Sequence, residues 1–322
     1  MAALTRRAVT GGLLGLAAAP ARAAEWPART ITIIHGFPPS GPSDVVARII
    51  ADGLSRVVGQ PVIVESRPGA SGTIAAAQVA RAAPDGYTLM VIPSGHPATA
   101  ATFAKLPFRA VADFTMITLA STYPYVMAVP SATGINDAAK LVNLGRTRAA
   151  PLTYGTPGTG SGPHLTIELF ALQTKIKVQH IPFRGSAPAV TELIAGRLDF
   201  MMDPPASMME FIRDGRLRAL AVSSDDHYFA LPDTPTLAEA GIAGFDVTGW
   251  QGLIAPAALP EPIVSRLNSE VRRILKEPAT IERLHAFGNE PRPSSPEEFK
   301  KRIESDIAKW TAVVDQVHFE KI

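Results

Sequence analysis

The sequence predicts an α/β chain in two domains, each a mostly parallel sheet flanked by helices. Three observations predict it. From residue 30 onward, short apolar strands alternate with amphipathic segments long enough to be helices, and helix crossovers join parallel strands. The 322 residues exceed the length of a typical single domain. Two stretches are also built alike, ITIIHGFPPSGPSD at 31–44 and LTYGTPGTGSGPH at 152–164: a strand, a loop of Gly, Pro, Ser and Thr, then a helix start. Such a junction leaves backbone N–H groups without partners and favours an anion.

The opening segment carries Arg6 and Arg7, an apolar stretch rich in Gly and Ala, and the small-x-small run Ala21-Arg22-Ala23. It reads as an export signal over 1–24, cleaved near Ala23 or Ala24. The paired arginines suit twin-arginine export and general secretion alike. The apolar run is too short to serve as a membrane anchor, which needs roughly 20 residues. Loss of Arg6, Arg7 and Arg22 takes the formal charge from +2 to −1, so the mature chain does not have the charge of a nucleic-acid binder. With no cysteine, disulfides, thiolate metal sites and cysteine nucleophiles are excluded.

In order, TITIIH is a strand and Val45, Val46, Ile49, Ile50, Leu54, Val57 and Val58 recur at helical spacing after it. PVIVES, a helix over 71–81 and the strand YTLMVIP complete a βαβαβ run. A second run has strands at YVMAVP, LTYGT, KVQHIPF, RLDFMMD and LRALAVSS, with helices at 137–144, 163–173, 186–195 and 205–214. FDVTGWQGLIAP is a long strand, and helices follow at 261–276, 279–286 and 297–317. These last helices have no sheet of their own and are expected to return to the first domain. That makes domain 1 discontinuous, 25–122 and 247–322, with domain 2 at 123–246 and two crossing strands as a hinge. Met201, Met202, Met208 and Met209 read as core filling, and Trp250 as hinge or interdomain packing.

Enzyme signatures are mostly missing. GTPGTGS at 155–161 has P-loop glycine spacing, but Ser161 stands where that loop needs lysine. The seven histidines lack ligand spacing, so neither metal nor cofactor is expected. Ser161 and His164 invite a nucleophile reading, yet Ser161 reads better as a helix cap and His164 as packing or hydrogen bonding within the same turn.

Binding chemistry remains. In the first junction Ser43 is the expected N-cap, and Phe37, Pro38, Ser40 and Gly41 set a loop whose amides face a ligand. Asp44 in the first helical turn suits the helix dipole but repels a bare anion, so it should orient loop amides or an ordered water. Thr156, Gly158, Thr159 and Ser161, with His164, form the second junction, and Ser94 follows the third strand. A further junction, IPFRGSAPAV, brings Arg184, Gly185, Ser186 and Ala187; the arginine either pairs with an anion or is simply solvated. Asp203 either caps the next helix or accepts a hydrogen bond from a ligand or water in the cleft.

PVIVESRPGASGTIAAAQVARAAPDGYTLMV, LTYGTPGTGSGPHLTIELF, HIPFRGSAPAVTELIAGRLDFMMD, LRALAVSS, LPDTPTLAEAG and WQGLIAPAALP resemble, in order and spacing, the solute-binding proteins of tripartite tricarboxylate transporters, the TctC or Bug family. RPGASG and APDGYTL are the most specific parts. The resemblance implies a two-domain periplasmic binding protein-like fold of the second type, a periplasmic location, and two integral membrane partners, large and small. It further implies a ligand carboxylate gripped between the loops at 37–44 and 156–164, partly through ordered waters. The chain departs from the family at Pro39-Ser40-Gly41-Pro42, Ser66, Pro157 and Arg184. The expected function is capture of a small carboxylate by a monomer without catalytic turnover; the alternatives are a periplasmic carboxylate sensor facing a receptor or kinase, and an exported hydrolase.

Overall fold

The computed structural model describes residues 26–322. The expected export signal lies outside the described residues. The first run is β1 (Ile31–His35), α1 (Pro42–Val58), β2 (Val62–Ser66), α2 (Thr73–Ala80), β3 (Thr88–Pro93), α3 (Gly95–Thr102) and β4 (Phe114–Pro124). The second is β5 (Val126–Pro130), α4 (Ala138–Thr147), β6 (Leu152–Thr156), α5 (Gly162–Thr174), β7 (Val178–Pro182), α6 (Ser186–Ile194), β8 (Met201–Asp203), α7 (Pro205–Arg213) and β9 (Leu217–Val222). The chain ends with β10 (Thr248–Pro256), α8 (Glu261–Ile274), α9 (Pro278–Ala286), β11 (Glu290–Pro291) and α10 (Pro296–Gln316).

A six-stranded sheet has the order β11-β4-β10-β3-β1-β2. β1 is parallel to β2 and β3, while β10 is antiparallel to both β3 and β4. In the other half, β5 lies antiparallel between β8 and β9, and β6 and β7 are parallel. A parallel bridge from Tyr154 to Phe200 links these two ladders. The sheets are thus mixed and not mostly parallel as expected: parallel where helical crossovers connect β1, β2 and β3 or β6 and β7, antiparallel along β10, β4 and β11 and around β5, because β5 and β10 enter from the other half and β11 returns beside β4.

Strand alternation sorts the first core into two faces. On β1 and β3, Ile31, Ile33, Leu89 and Val91 pack under α1 and α8, whereas Ile34, Met90 and Ile92 pack under α2 and α10. Gly53 of α1 sits against the Ile274 side chain, leaving no room there for a Cβ and letting α8 lie close on α1. Trp250 is fully buried beside Phe299, its rings in an edge contact at 5.3 Å, and its indole N–H donates to Asp306 at 2.7 Å. The four methionines at 201, 202, 208 and 209 are buried.

Two further features depart from the sequence reading. Periodicity does not mark α3, because His96, Pro97, Ala98, Thr99, Ala101 and Thr102 are all buried and no polar stripe remains. Pro97 is tolerated since it lies in the first turn, where its missing N–H costs little. The C-terminal helices also do not all stay with the first sheet. Phe299 and Ile303 of α10 belong to its core, but Trp310, Val313 and Val314 pack with Tyr154, Leu165 and Phe170 of the other half.

Candidate functional site

The first junction begins where β1 ends. Pro42 occupies the first turn of α1, which puts Gly41 at the N-cap, with φ −80° and ψ 172°. Ser43 therefore lies inside the helix and is not the cap. Its hydroxyl donates to Gln251 Oε1 of β10 at 3.0 Å. Asp44 performs the orienting role expected of it: Oδ2 accepts from the Ser40 N–H and from Arg48 Nε, each at 2.9 Å, and Oδ1 lies 3.0 Å from His35 Nε2. Burial alone would raise this carboxyl, but the bonds from Arg48 and Ser40 hold it below the ordinary range. Burial lowers His35 despite its carboxylate partner.

The tip of this loop is braced by the RPGASG segment. Gly69, Ala70, Ser71 and Gly72 all have positive φ, and a Cβ on Gly36 would run into the Gly72 backbone. Ser66 Oγ donates to the Phe37 carbonyl at 2.6 Å. A cavity of about 10 Å³ between Phe37, Gly72, His96 and Phe108 is at the lower limit for one water. Phe37 and Gly41 are half-buried, and Pro38 and Ser40 exposed.

The second and third junctions form one surface because β6 and β7 are parallel neighbours in the register Thr156↔Pro182. Phe183 N–H donates to the Thr156 carbonyl and Gly185 N–H to that of Pro157, at 3.0 and 3.3 Å. Ser161 caps α5, its hydroxyl accepting from the His164 N–H. Thr156 is fully buried, Gly158 and Ser161 half-buried and Thr159 exposed. Arg184 and Ala187 are exposed beside half-buried Gly185 and Ser186. The first-turn N–H groups of α1, α5 and α6 have no intrahelical acceptor.

Asp203 is not the cap of the next helix, and an unpartnered oxygen suits its expected role as an acceptor. It is fully buried, the N-cap position of α7 is Pro204, and Asp203 Oδ2 accepts from Ser207 Oγ at 2.6 Å. Its Oδ1 has no partner. Burial raises the carboxyl to about 6, against the pull of the Ser186 and Ser207 hydroxyls.

The two halves meet at the expected Ser94 and at three side chains that sequence alone does not mark, Tyr123, Tyr125 and Gln251. Ser94 is buried at the start of α3, its N–H donating to the Trp250 carbonyl, and its hydroxyl lies 3.3 Å from the Tyr125 hydroxyl. That hydroxyl lies against Gly162, where no Cβ would fit. Burial pushes Tyr123 up to about 12 and raises Tyr125 well above its ordinary value, so both are neutral hydroxyls. Tyr123, Tyr125 and Gln251 lie on or between the crossing strands. An aromatic directly after Pro124 was the available signal, but only register reveals that it faces a helix start 37 residues away. The structure thus gathers junctions 37–44 and 156–164 around Ser94, Tyr125 and Gln251, with 184–187 alongside. Among the described residues no cluster of three or more His, Cys, Asp or Glu is arranged for a metal, and no helix is long and apolar enough to cross a membrane.

The chain has relatives over most of its length. The model of the tripartite tricarboxylate transporter family receptor matches residues 46–319. Protein BugT of Bordetella pertussis is 33% identical over 299 residues, 92% of each chain. R. palustris Rpa4515, solved with adipate, is 31% identical with a TM-score of 0.84, over 92% of this chain and all of that one. MatC (Rpa3494) of Rhodopseudomonas palustris, solved with bound malate, is 34% identical with a TM-score of 0.79, over 90% of this chain and all of that one. The fold is that of the periplasmic binding proteins, and the chain belongs to the tripartite tricarboxylate transporter receptor family.

Proposed function

We propose that the protein captures a small carboxylate between domain 1 (25–122 and 247–322) and domain 2 (123–246) in the periplasm and delivers it to two integral membrane subunits, without chemical turnover. The carrying observation is the meeting of helix starts from both halves across Ser94, Tyr125 and Gly162. One carboxylate oxygen is received by backbone N–H groups of the loop shaped by Phe37, Pro38, Ser40 and Gly41 and of Ser43 and Asp44 in the first turn, the Asp44 carboxylate staying tied to Ser40 and Arg48. The other is received by Gly158, Thr159 and Ser161, with Gly185, Ser186 and Ala187 beside them. Arg184 is an optional counter-charge at the rim. The adipate and malate held by relatives support a carboxylate of this size.

Neutral N–H groups and hydroxyls suit capture followed by release. They stabilise a carboxylate by charge-assisted hydrogen bonds without the deep trap of a buried fixed cation. The test is calorimetry on protein unfolded, stripped of ligand and refolded, against mono- and dicarboxylates including malate and adipate. Binding is expected, with about 2.7 kcal/mol of added stability at a hundredfold excess over Kd. No heat and no thermal shift across the panel would overturn the proposal.

A further inference from the structure

His164 and His180 are stacked with ring centroids 3.8 Å apart and planes 18° from parallel. They sit in a pile of rings, Tyr154 lying on His180 at 5.1 Å and Phe319 against His164 at 5.4 Å. His164 Nδ1 accepts from the Gly160 N–H at 3.0 Å, so that nitrogen carries no proton. Its Nε2 then bears the hydrogen and faces Glu168 at 3.8 Å. His180 Nε2 lies 2.6 Å from Thr156 Oγ1. That hydroxyl donates to the Gly158 carbonyl at 3.1 Å and accepts from the Gly158 N–H at 3.3 Å. With its single proton given to the carbonyl, it receives His180 as a donor, and every site on the hydroxyl is used.

Both rings are therefore tied to the backbone of 156–160, and His164 is needed without a proton on Nδ1. A proton on His164 Nδ1 would displace the Gly160 N–H, and two imidazolium rings at this spacing repel. Gly158 and Gly160, with φ of 151° and 73°, supply the backbone freedom for the tight loop that results. We infer that the stacked pair His164 and His180 are positioning residues that hold the second grip in its binding conformation through Gly160 and Thr156, without themselves touching the ligand. The inference rests on the proposed carboxylate site and changes the part played there by His164, from ligand contact to loop support.

The test uses His164→Leu, His164→Asn, His164→Gln, His180→Leu and His180→Gln in the full mature chain. Amide hydrogen exchange over 157–162 reads the loop directly, and calorimetry with malate and adipate reads the grip. Asn at 164 places its carbonyl oxygen near the Nδ1 position, whereas Gln reaches toward Nε2; Gln at 180 restores a group at Nε2. We expect about tenfold faster loop exchange and about tenfold weaker binding in both leucine variants and in His164→Gln, the loss of one buried hydrogen bond. His164→Asn and His180→Gln should recover most of both. Leucine variants with wild-type exchange and affinity, or His164→Asn no better than His164→Gln, would overturn the inference. If a leucine variant does not fold, the Asn and Gln pair at 164 still decides. Wild-type protein that binds neither probe would defeat the carboxylate reading alone, since the exchange measurements stand without a ligand.

Discussion

Asp44 serves as a three-way tie among Ser40, Arg48 and His35, and its removal strands more than one partner. Asp44→Ala should leave the Ser40 N–H and the buried His35 ring unsatisfied, costing about 2–3 kcal/mol of stability in denaturant titration. Carboxylate affinity should fall with it as the loop loosens. Asn in its place should keep part of both. The buried titratable groups also set an acid limit. Burial lowers His164 to about 3, with His180 adding to the effect, and lowers His180 and His96 to about 4, while it raises Asp203 to about 6. Below pH 6.5 the unfolded chain gains imidazole protons that the fold refuses, so stability from the three histidines is present above that pH and lost as pH falls toward 4. Asp203 works the other way, its contribution growing as pH falls through about 6. At pH 5 the net is about two protons more in the unfolded chain, a slope on the order of 3 kcal/mol per pH unit from these four groups. Thermal melts between pH 7 and 4.5 should show the midpoint falling steeply, and His164→Asn with His180→Gln should flatten the fall.

At the level of elements, the strand-to-helix junctions were legible because their punctuation is local. Pro42, Pro163 and the glycines fix where α1 and α5 begin, and Ser161 caps as its sequence position implies. The Ser43 cap was misassigned by two residues because Pro42 can open the helix after glycine as readily as before serine. The α3 helix was illegible for a different reason: burial on nearly all sides erases the periodicity on which such readings depend. The contacts made by Tyr125, Gln251 and His180 depend on strand register and long-range packing, which no spacing in the chain encodes. The RPGASG segment shows what a specific motif is for. Its run of positive φ brings Gly72 against Gly36 and steadies the loop that starts at Phe37. Gly36→Ala adds one methyl where backbone meets backbone, and should cost about 1–3 kcal/mol in equilibrium unfolding. It should also weaken carboxylate binding, whereas Gly59→Ala, at a helix end with open space around it, should strain only its own φ of 69°.

For the whole molecule, the division into two α/β halves follows from the alternation of elements, but the closeness of their union does not. The loop after β9 reaches the end of α9 and the loop that follows it: the Tyr228 hydroxyl donates to the Gly288 carbonyl at 2.9 Å, and Phe229 stacks on His285 at 4.3 Å. Arg292 and Asp226 add an exposed pair at 3.7 Å, a minor contribution. Tyr228→Ala removes the buried ring and its bond together. Small-angle scattering of ligand-free protein should then give a larger radius of gyration, with affinity reduced in calorimetry, because a binding-competent form that is less populated binds in proportion more weakly.

α10 carries the last consequence. β4 and β10 cross side by side as one antiparallel ribbon, and a ribbon by itself can both bend and twist. A helix anchored by Phe299 and Ile303 in one core and by Trp310, Val313 and Val314 in the other adds a third span that resists compression and bending. The joint then has fewer independent motions than its two strands would permit. In the closure proposed above, α10 would confine opening to a rotation that keeps its own length constant, and the helix starts on either side would return to the same alignment on closing.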